Sequence, residues 1–185
     1  MDWSRGKATL QGLTGRALGH ARDAGVPVDR GRQLFDDRLQ PLLLRKVSTR
    51  IIAFVRRTGV RVLELEPGRV VCEMPLKGNV NHIGTMYAGA LFTLAEFPGG
   101  PLMLATFGMR RFIPIVTALD MEFVAAAKTD VRVELRLSDD RARRIEAETV
   151  DTGKAEFFLE GELKDANGQV VARSRATYQM RPRRR

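Results

Sequence analysis

The chain has 185 residues with 31 Lys and Arg against 22 Asp and Glu, a net charge of +9. This length suits one domain with an appendage and is enough to bury a core. The single cysteine excludes an internal disulfide and fits a reducing compartment, and with only two histidines a His/Cys metal site is not expected.

The first third of the chain carries most of the positive charge, since residues 1–60 hold 12 Lys and Arg but 5 Asp and Glu. We predict short helices at 7–24 and 29–39 and a longer basic amphipathic helix at 41–58. Such a helix can contact a membrane or nucleic acid, or pack on the domain behind it, which is the favoured alternative. Residues 1–58 are therefore predicted to be a helical extension.

Neither a signal segment nor a membrane span is expected. The N-terminus lacks an apolar core, and the longest uncharged run, residues 83–95, is too short to cross a bilayer. We predict a cytoplasmic protein.

After Gly59 the pattern changes to short β-type runs. Residues 60–65 and 69–76 flank the turn Glu66-Pro67-Gly68 and predict a hairpin. Beyond a central helix, five further strands are predicted: 113–123, 131–137, 144–150, 155–163 and 169–180. The domain is expected to span 59–181, followed by a basic tail at 182–185.

The central helix is the most informative part of the chain. Thr85 is predicted as its N-cap, Met86 to Ala95 follow without a charge, and then comes Glu96. Pro98 and Pro101 predict a break after it. A carboxylate at the end of such an apolar run is costly to bury, so it is expected to be either paired or catalytic.

The element order and the motif around this helix resemble the hotdog-fold acyl-CoA thioesterases related to the phenylacetate-pathway enzyme. That family has an Asn, a His-Gly-Gly six residues later, and an Asp or Glu nine residues after the His. Here Asn81, Tyr87-Ala88-Gly89 and Glu96 stand at these spacings. Tyr87 replaces the family His and Ala88 the first Gly, which is closer to a less characterised branch of hotdog thioesterases.

The resemblance implies an α+β hotdog fold, with an antiparallel sheet wrapped around one central helix. It implies hydrolysis of an acyl-CoA or acyl-carrier-protein thioester, with the coenzyme A moiety as part of the substrate and no other cofactor. Glu96 would be the base or nucleophile, and the amide of Ala88 would bind the oxyanion. The remaining site residues implied are Asn81 and Tyr87, which would orient water or the carbonyl, and His82, Gly89 and Thr117, which would contact substrate.

Each assignment has a structural alternative. Asn81 can serve only to form a turn, and Tyr87 can be a core residue with a satisfied hydroxyl. Glu96 can pair with Arg110 or Arg111. His82 can be a solvent-facing loop residue.

Hotdog thioesterases place their site between two protomers, so the resemblance implies a homodimer or homotetramer. The oxyanion amide and the Asn would come from one chain and Glu96 from the other. The tail arginines and Arg141, Arg143 and Arg144 are candidate partners for the phosphates of coenzyme A.

Two other functions remain as alternatives to a thioesterase. One is a non-catalytic acyl-CoA-binding or regulatory protein. The other is a dehydratase, which is less favoured because the central helix has no His.

Overall fold

The computed structural model describes residue 49 and residues 52–108 and 111–183, which belong to a compact unit running from Leu44 to Arg185. The predicted helices at 7–24 and 29–39, and most of the one at 41–58, lie outside the described residues, as does the end of the tail. The described helices are α1 (Ala53–Thr58), α2 (Ala88–Glu96), α3 (Gly99–Phe107) and α4 (Asp139–Thr152). The strands are β1 (Arg61–Glu66), β2 (Arg69–Met74), β3 (Phe112–Phe123), β4 (Val131–Arg136), β5 (Ala155–Asp165) and β6 (Val170–Pro182).

The six strands form one antiparallel sheet in the order β1-β2-β4-β5-β6-β3. The predicted hairpin is β1–β2, and its turn requires Gly68, which has φ +77° and whose added Cβ would lie 2.7 Å from the carbonyl oxygen of Leu137. Alternation along β4 and β5 places apolar side chains on one face and charged ones on the other. Strand β3 lies at an edge of the sheet.

Helix α2 packs on the inner face of the sheet against β2, β3, β4, β5 and β6, as the predicted wrapped architecture requires. Its buried side chains include Leu91 and Leu94, which join the inner residues of the strands in one core. The helix is not buried on every side within a single chain, because Phe92 is 39% exposed. The uncovered stripe runs along Ala88, Phe92 and Glu96, which share a face at four-residue spacing.

The predicted break after Glu96 is confirmed, since α2 ends there and α3 begins at Gly99. Together the two helices make a 20-residue apolar stretch, Ala88–Phe107, that is long and apolar enough to cross a membrane. An 18-residue window of it is 67% buried inside the fold, as a core helix would be.

Two sequence predictions are wrong. Residues 144–150 are not a strand but part of α4, which Ser138 caps by accepting a hydrogen bond from the amide of Arg141. Its buried residues Ile145 and Thr149 are four apart, so the helical period decides the structure. The N-cap of α2 is Tyr87, two residues after the predicted Thr85.

Candidate functional site

The loop from residue 79 to 87 delivers the chain to the start of α2. The amide of Tyr87 donates to the carbonyl oxygen of Asn79 at 2.7 Å, and Met86 donates to Ala127 at 2.8 Å. The side chain of Asn79 donates to the carbonyl oxygens of Thr58 and Pro75 at 2.7 and 2.8 Å. Asn79 therefore anchors this loop to the end of α1, a role that the sequence did not reveal.

The side chain of Asn81 is engaged inside the same loop. Its Oδ1 accepts hydrogen bonds from the amides of Ile83 and Thr85, both at 3.1 Å, and its Nδ2 donates to the hydroxyl of Thr85 at 2.9 Å. These are the bonds of an Asx-type turn. His82 is exposed beside them.

The first turn of α2 presents two unused backbone donors. Tyr87 has extended backbone angles, φ −65° and ψ 137°, and the helix follows from Ala88. Among the described residues, no protein acceptor is hydrogen-bonded to the amides of Ala88 or Gly89, whereas those of Ala90 and Leu91 both donate to Tyr87. Free amides and the positive end of the helix dipole favour an anion at this point.

Tyr87 lies beside these amides. Its side chain is 59% exposed in the single chain, so it is not a core tyrosine there. A Cβ on residue 89 would lie 2.5 Å from Cε1 of its ring, and glycine at this position lets the ring fold over the first turn.

Glu96 ends the same helix, half-buried. Burial raises the pKa of its carboxyl group. Among the described residues no cation pairs with its carboxylate. Arg111, one of the two predicted partners, pairs with Glu146. Arg110, the other predicted partner, lies outside the described residues.

The contrast with Glu73 shows what a structural carboxylate looks like in this fold. Glu73 is 6% exposed and accepts hydrogen bonds from Arg61 and, at 2.6 Å, from Arg132. Burial opposes its ionisation, but the two arginines outweigh it and lower the pKa of Glu73. Glu96 has no such partner among the described residues, and burial raises its pKa instead.

The other predicted contact residues lie on elements other than α2. Thr117 sits at the irregularity in β3 between Val116 and Ala118, and its hydroxyl donates to the carbonyl oxygen of Thr177 at 3.3 Å. Arg141, Arg143 and Arg144 lie on α4 rather than on a strand. Arg141 donates to the carbonyl oxygen of Phe158 and Arg143 pairs with Asp140, which leaves Arg144 as the one of these three without such a contact in the described structure.

The outer face of the sheet carries a shallow depression of about 540 Å³ on β3, β5 and β6. Five of its charged side chains pair with one another: Arg173 contacts Glu122 at 3.3 Å and Glu162 at 3.7 Å, and Arg175 lies 3.8 Å from Glu160. Since these side chains point away from α2, the depression is separate from the candidate site.

Comparison with known proteins identifies the family to which the chain belongs. Residues 42–180 match a domain of unknown function, DUF4442. A crystal structure of a protein of unknown function from Pseudomonas aeruginosa, described as a probable thioesterase, is 52% identical, with a TM-score of 0.74 over 76% of this chain and 95% of that one. No curated protein sequence matches the chain.

More distant solved structures share the fold. Zebrafish thioesterase superfamily member 2 is 23% identical, with a TM-score of 0.57 over 74% of this chain and 94% of that one. A mutant thioesterase from Pseudomonas aeruginosa is 14% identical, with a TM-score of 0.60 over 75% and 91%. The chain therefore belongs to the DUF4442 family, within the hotdog-fold thioesterase superfamily.

Proposed function

We propose that this protein hydrolyses an acyl thioester of coenzyme A or of an acyl carrier protein in the cytoplasm. The observation that carries the proposal is the carboxylate of Glu96: half-buried, without a cation partner in the described structure, and with a raised pKa. A carboxylate with a raised pKa is a better base near neutral pH than an ordinary one. The thioesterase superfamily to which the chain belongs supports the reaction class.

In the proposed reaction Glu96 takes a proton from water while the water oxygen attacks the thioester carbonyl carbon. The amides of Ala88 and Gly89 stabilise the negative carbonyl oxygen of the tetrahedral intermediate. The carbon–sulfur bond then breaks, the proton passes to the leaving thiolate, and an acid and a thiol are released. In the alternative route the Glu96 carboxylate itself attacks the carbonyl carbon and the thiol leaves. Water then hydrolyses the resulting acyl–Glu96 anhydride, so the net products are the same acid and thiol.

The two proposed groups lie far apart along the helix of a single chain. Ala88 and Glu96 are eight residues apart on a helix, which separates them by about 12 Å along its axis. A base and an oxyanion donor must each lie about 3 Å from the reacting group. We therefore propose that the amides come from one protomer and Glu96 from its partner.

The uncovered apolar surface of the chain supports a homodimer. Phe92 on α2 and Phe123 on β3 make an edge contact with ring centroids 5.8 Å apart, yet they are 39% and 48% exposed. Val116 and Val124 continue this surface along β3 and beyond its end, and β3 is an edge strand of 12 residues. Apolar surface beside an unpaired strand edge favours burial against a second copy.

The other predicted residues keep supporting roles in this proposal. Tyr87, exposed beside the free amides, would donate its hydroxyl to the carbonyl oxygen or to the attacking water. Asn81 would act through the loop that it closes, and His82, Gly89 and Thr117 would contact substrate.

The test is thiol release from acyl-CoAs of graded chain length by the wild type and by Glu96→Gln. Loss of a general base lowers the rate by about 10²- to 10⁴-fold, so we expect a fall of that size in Glu96→Gln at an unchanged fold. A thiol reagent can report the product directly, because Cys72 is buried and burial raises its pKa to about 12. Equal turnover by Glu96→Gln would reject the mechanism.

A second candidate is a non-catalytic acyl-CoA-binding or regulatory protein. The observation that favours it is Tyr87, which occupies the position of the family His and leaves α2 without a histidine. In that case acyl-CoA would bind, as measured by calorimetry, without thiol release from any chain length.

A further inference from the structure

Tyr178 is a buried residue of β6 whose hydroxyl reaches the end of the central helix. Its side chain is 2% exposed, and its ring stacks on Phe157 with centroids 5.8 Å apart and planes 19° apart. The hydroxyl donates a hydrogen bond of 3.0 Å to the main-chain oxygen of Glu96. Strand β6, the last strand in the sequence, is thereby joined to Glu96, the residue that carries the candidate base.

The break between α2 and α3 explains why that oxygen needs a donor. In a continuous helix the carbonyl of Glu96 would accept from the amide of Gly100. Here the amide of Gly100 donates to the carbonyl oxygen of Phe97 at 3.2 Å instead. A carbonyl left over at a helix end requires another partner when it is away from water, and the hydroxyl of Tyr178 is that partner.

The packing at the break fits this hydroxyl closely. A Cβ built on Gly99 would lie 2.0 Å from the hydroxyl oxygen of Tyr178 and 2.3 Å from Cζ. Only a glycine therefore leaves room for the tyrosine to reach Glu96. The neighbouring Gly100 has nothing within 4 Å of its added Cβ.

We propose that Tyr178 is a positioning residue: by holding the main-chain oxygen of Glu96, it sets the direction in which the helix break aims the Glu96 carboxylate. This inference rests on the proposed role of Glu96 as the base. Burial and then the charge of Glu96 raise the pKa of Tyr178 above its ordinary value, so the hydroxyl remains a neutral donor at every working pH.

The variant Tyr178→Phe tests the proposal, because it keeps the ring and removes only the hydroxyl. Two readouts are made: the carboxyl pKa of Glu96 by ¹³C NMR, with the resonance assigned by its absence in Glu96→Gln, and the pH profile of kcat/KM. We expect kcat to fall about tenfold with KM within about twofold, since one lost hydrogen bond is worth about that factor. The Glu96 pKa and the acid limb of the profile should both move toward the ordinary glutamate value as the carboxylate gains access to water.

Ile145→Val is the control, because it removes one buried methylene on α4 and leaves the break untouched. The proposal is overturned if Tyr178→Phe shows the same Glu96 pKa and kcat as Ile145→Val. If the wild type releases no thiol, the proposed function fails, while the NMR titration still decides whether Tyr178 positions Glu96. If Tyr178→Phe does not fold, Gly99→Ala displaces the same hydroxyl and is measured in the same way.

Discussion

The amide of Ala88 can be removed without disturbing the helix that carries it. Proline is favoured at the first position of a helix, where its fixed φ fits and the missing amide hydrogen has no partner within the helix. Ala88 is that first residue, it is exposed, and the residue before it has the extended backbone that a following proline requires. The substitution Ala88→Pro therefore deletes the proposed oxyanion donor and little else.

The expected effect on stability is small and the effect on rate is large. A proline at a compatible site stabilises a protein by about 0.4–1 kcal/mol, which in a chain of this size raises Tm by up to about 4 °C. Loss of one oxyanion donor costs about 2.7–4 kcal/mol of transition-state stabilisation, or about 10²- to 10³-fold in kcat. Partial cover by the second free amide, that of Gly89, would place the result at the lower end of this range.

The assay is thiol release under saturating acyl-CoA, beside Tm from calorimetry. Ala88→Gly is the matched control, because it keeps the amide hydrogen and removes only the Cβ, and we expect its kcat to stay within about threefold of the wild type. Full activity in a folded Ala88→Pro protein would refute the assignment of the oxyanion site to this amide.

The variant Ala88→Pro also tests whether each site is shared between two protomers. When Ala88→Pro and Glu96→Gln chains are co-expressed with different tags, about half of the dimers are mixed. If the site is shared, a mixed dimer has one site with both defects and one site with neither. About a quarter of wild-type activity is therefore expected from the mixture. A mixture as inactive as its parents would show that both groups act within one chain.

Two further predictions concern the end of α2. Gly99→Ala should lower the free energy of unfolding by about 1–3 kcal/mol, because the added Cβ overlaps Tyr178. Gly100→Ala is the control and should stay within about 1 kcal/mol of the wild type. Urea titration measures both free energies, and equal values for the two variants would contradict the close fit at the break. Glu96→Gln should raise Tm above that of the wild type at pH 8, because the folded state disfavours the ionised form of a carboxyl whose pKa is raised. The stability contributed by Glu96 is present at acid pH and is lost as pH rises through its folded pKa. The difference in Tm between Glu96→Gln and the wild type should therefore grow over that range and shrink toward pH 4. The opposite trend would contradict the assigned burial of Glu96.

The local patterns of the sequence were sufficient for most of the fold. Alternation from Val131 to Arg136 predicted β4, and the Pro-Gly turn predicted the first hairpin, because both depend on neighbours in the chain. The exception, α4, also has a local signal in the sequence. Ser138 followed by two aspartates is a helix start, and Ile145 and Thr149 stand at helical spacing.

The motif from Asn81 to Glu96 was likewise readable in the sequence, since its members stand on one loop and one helix at fixed spacings. What each side chain touches was not. Asn81 bonds within its own loop, and Glu96 has no cation partner in the described residues although arginines are abundant in the chain. Which charges meet depends on the direction of each side chain across the sheet.

The sequence by itself therefore determined the six strands that the fold contains, although it added a false one at 144–150, and it determined the central helix, its break and the position of the acid at its end. Only the tertiary structure decided that Tyr178, 82 residues further along, supplies the donor for the carbonyl of Glu96. It also decided that Phe92 and Phe123 meet on a surface left open in the single chain. Hydrogen bonds and contacts of this kind join residues distant in sequence, and no local period records which inward-facing side chains the closed fold brings together.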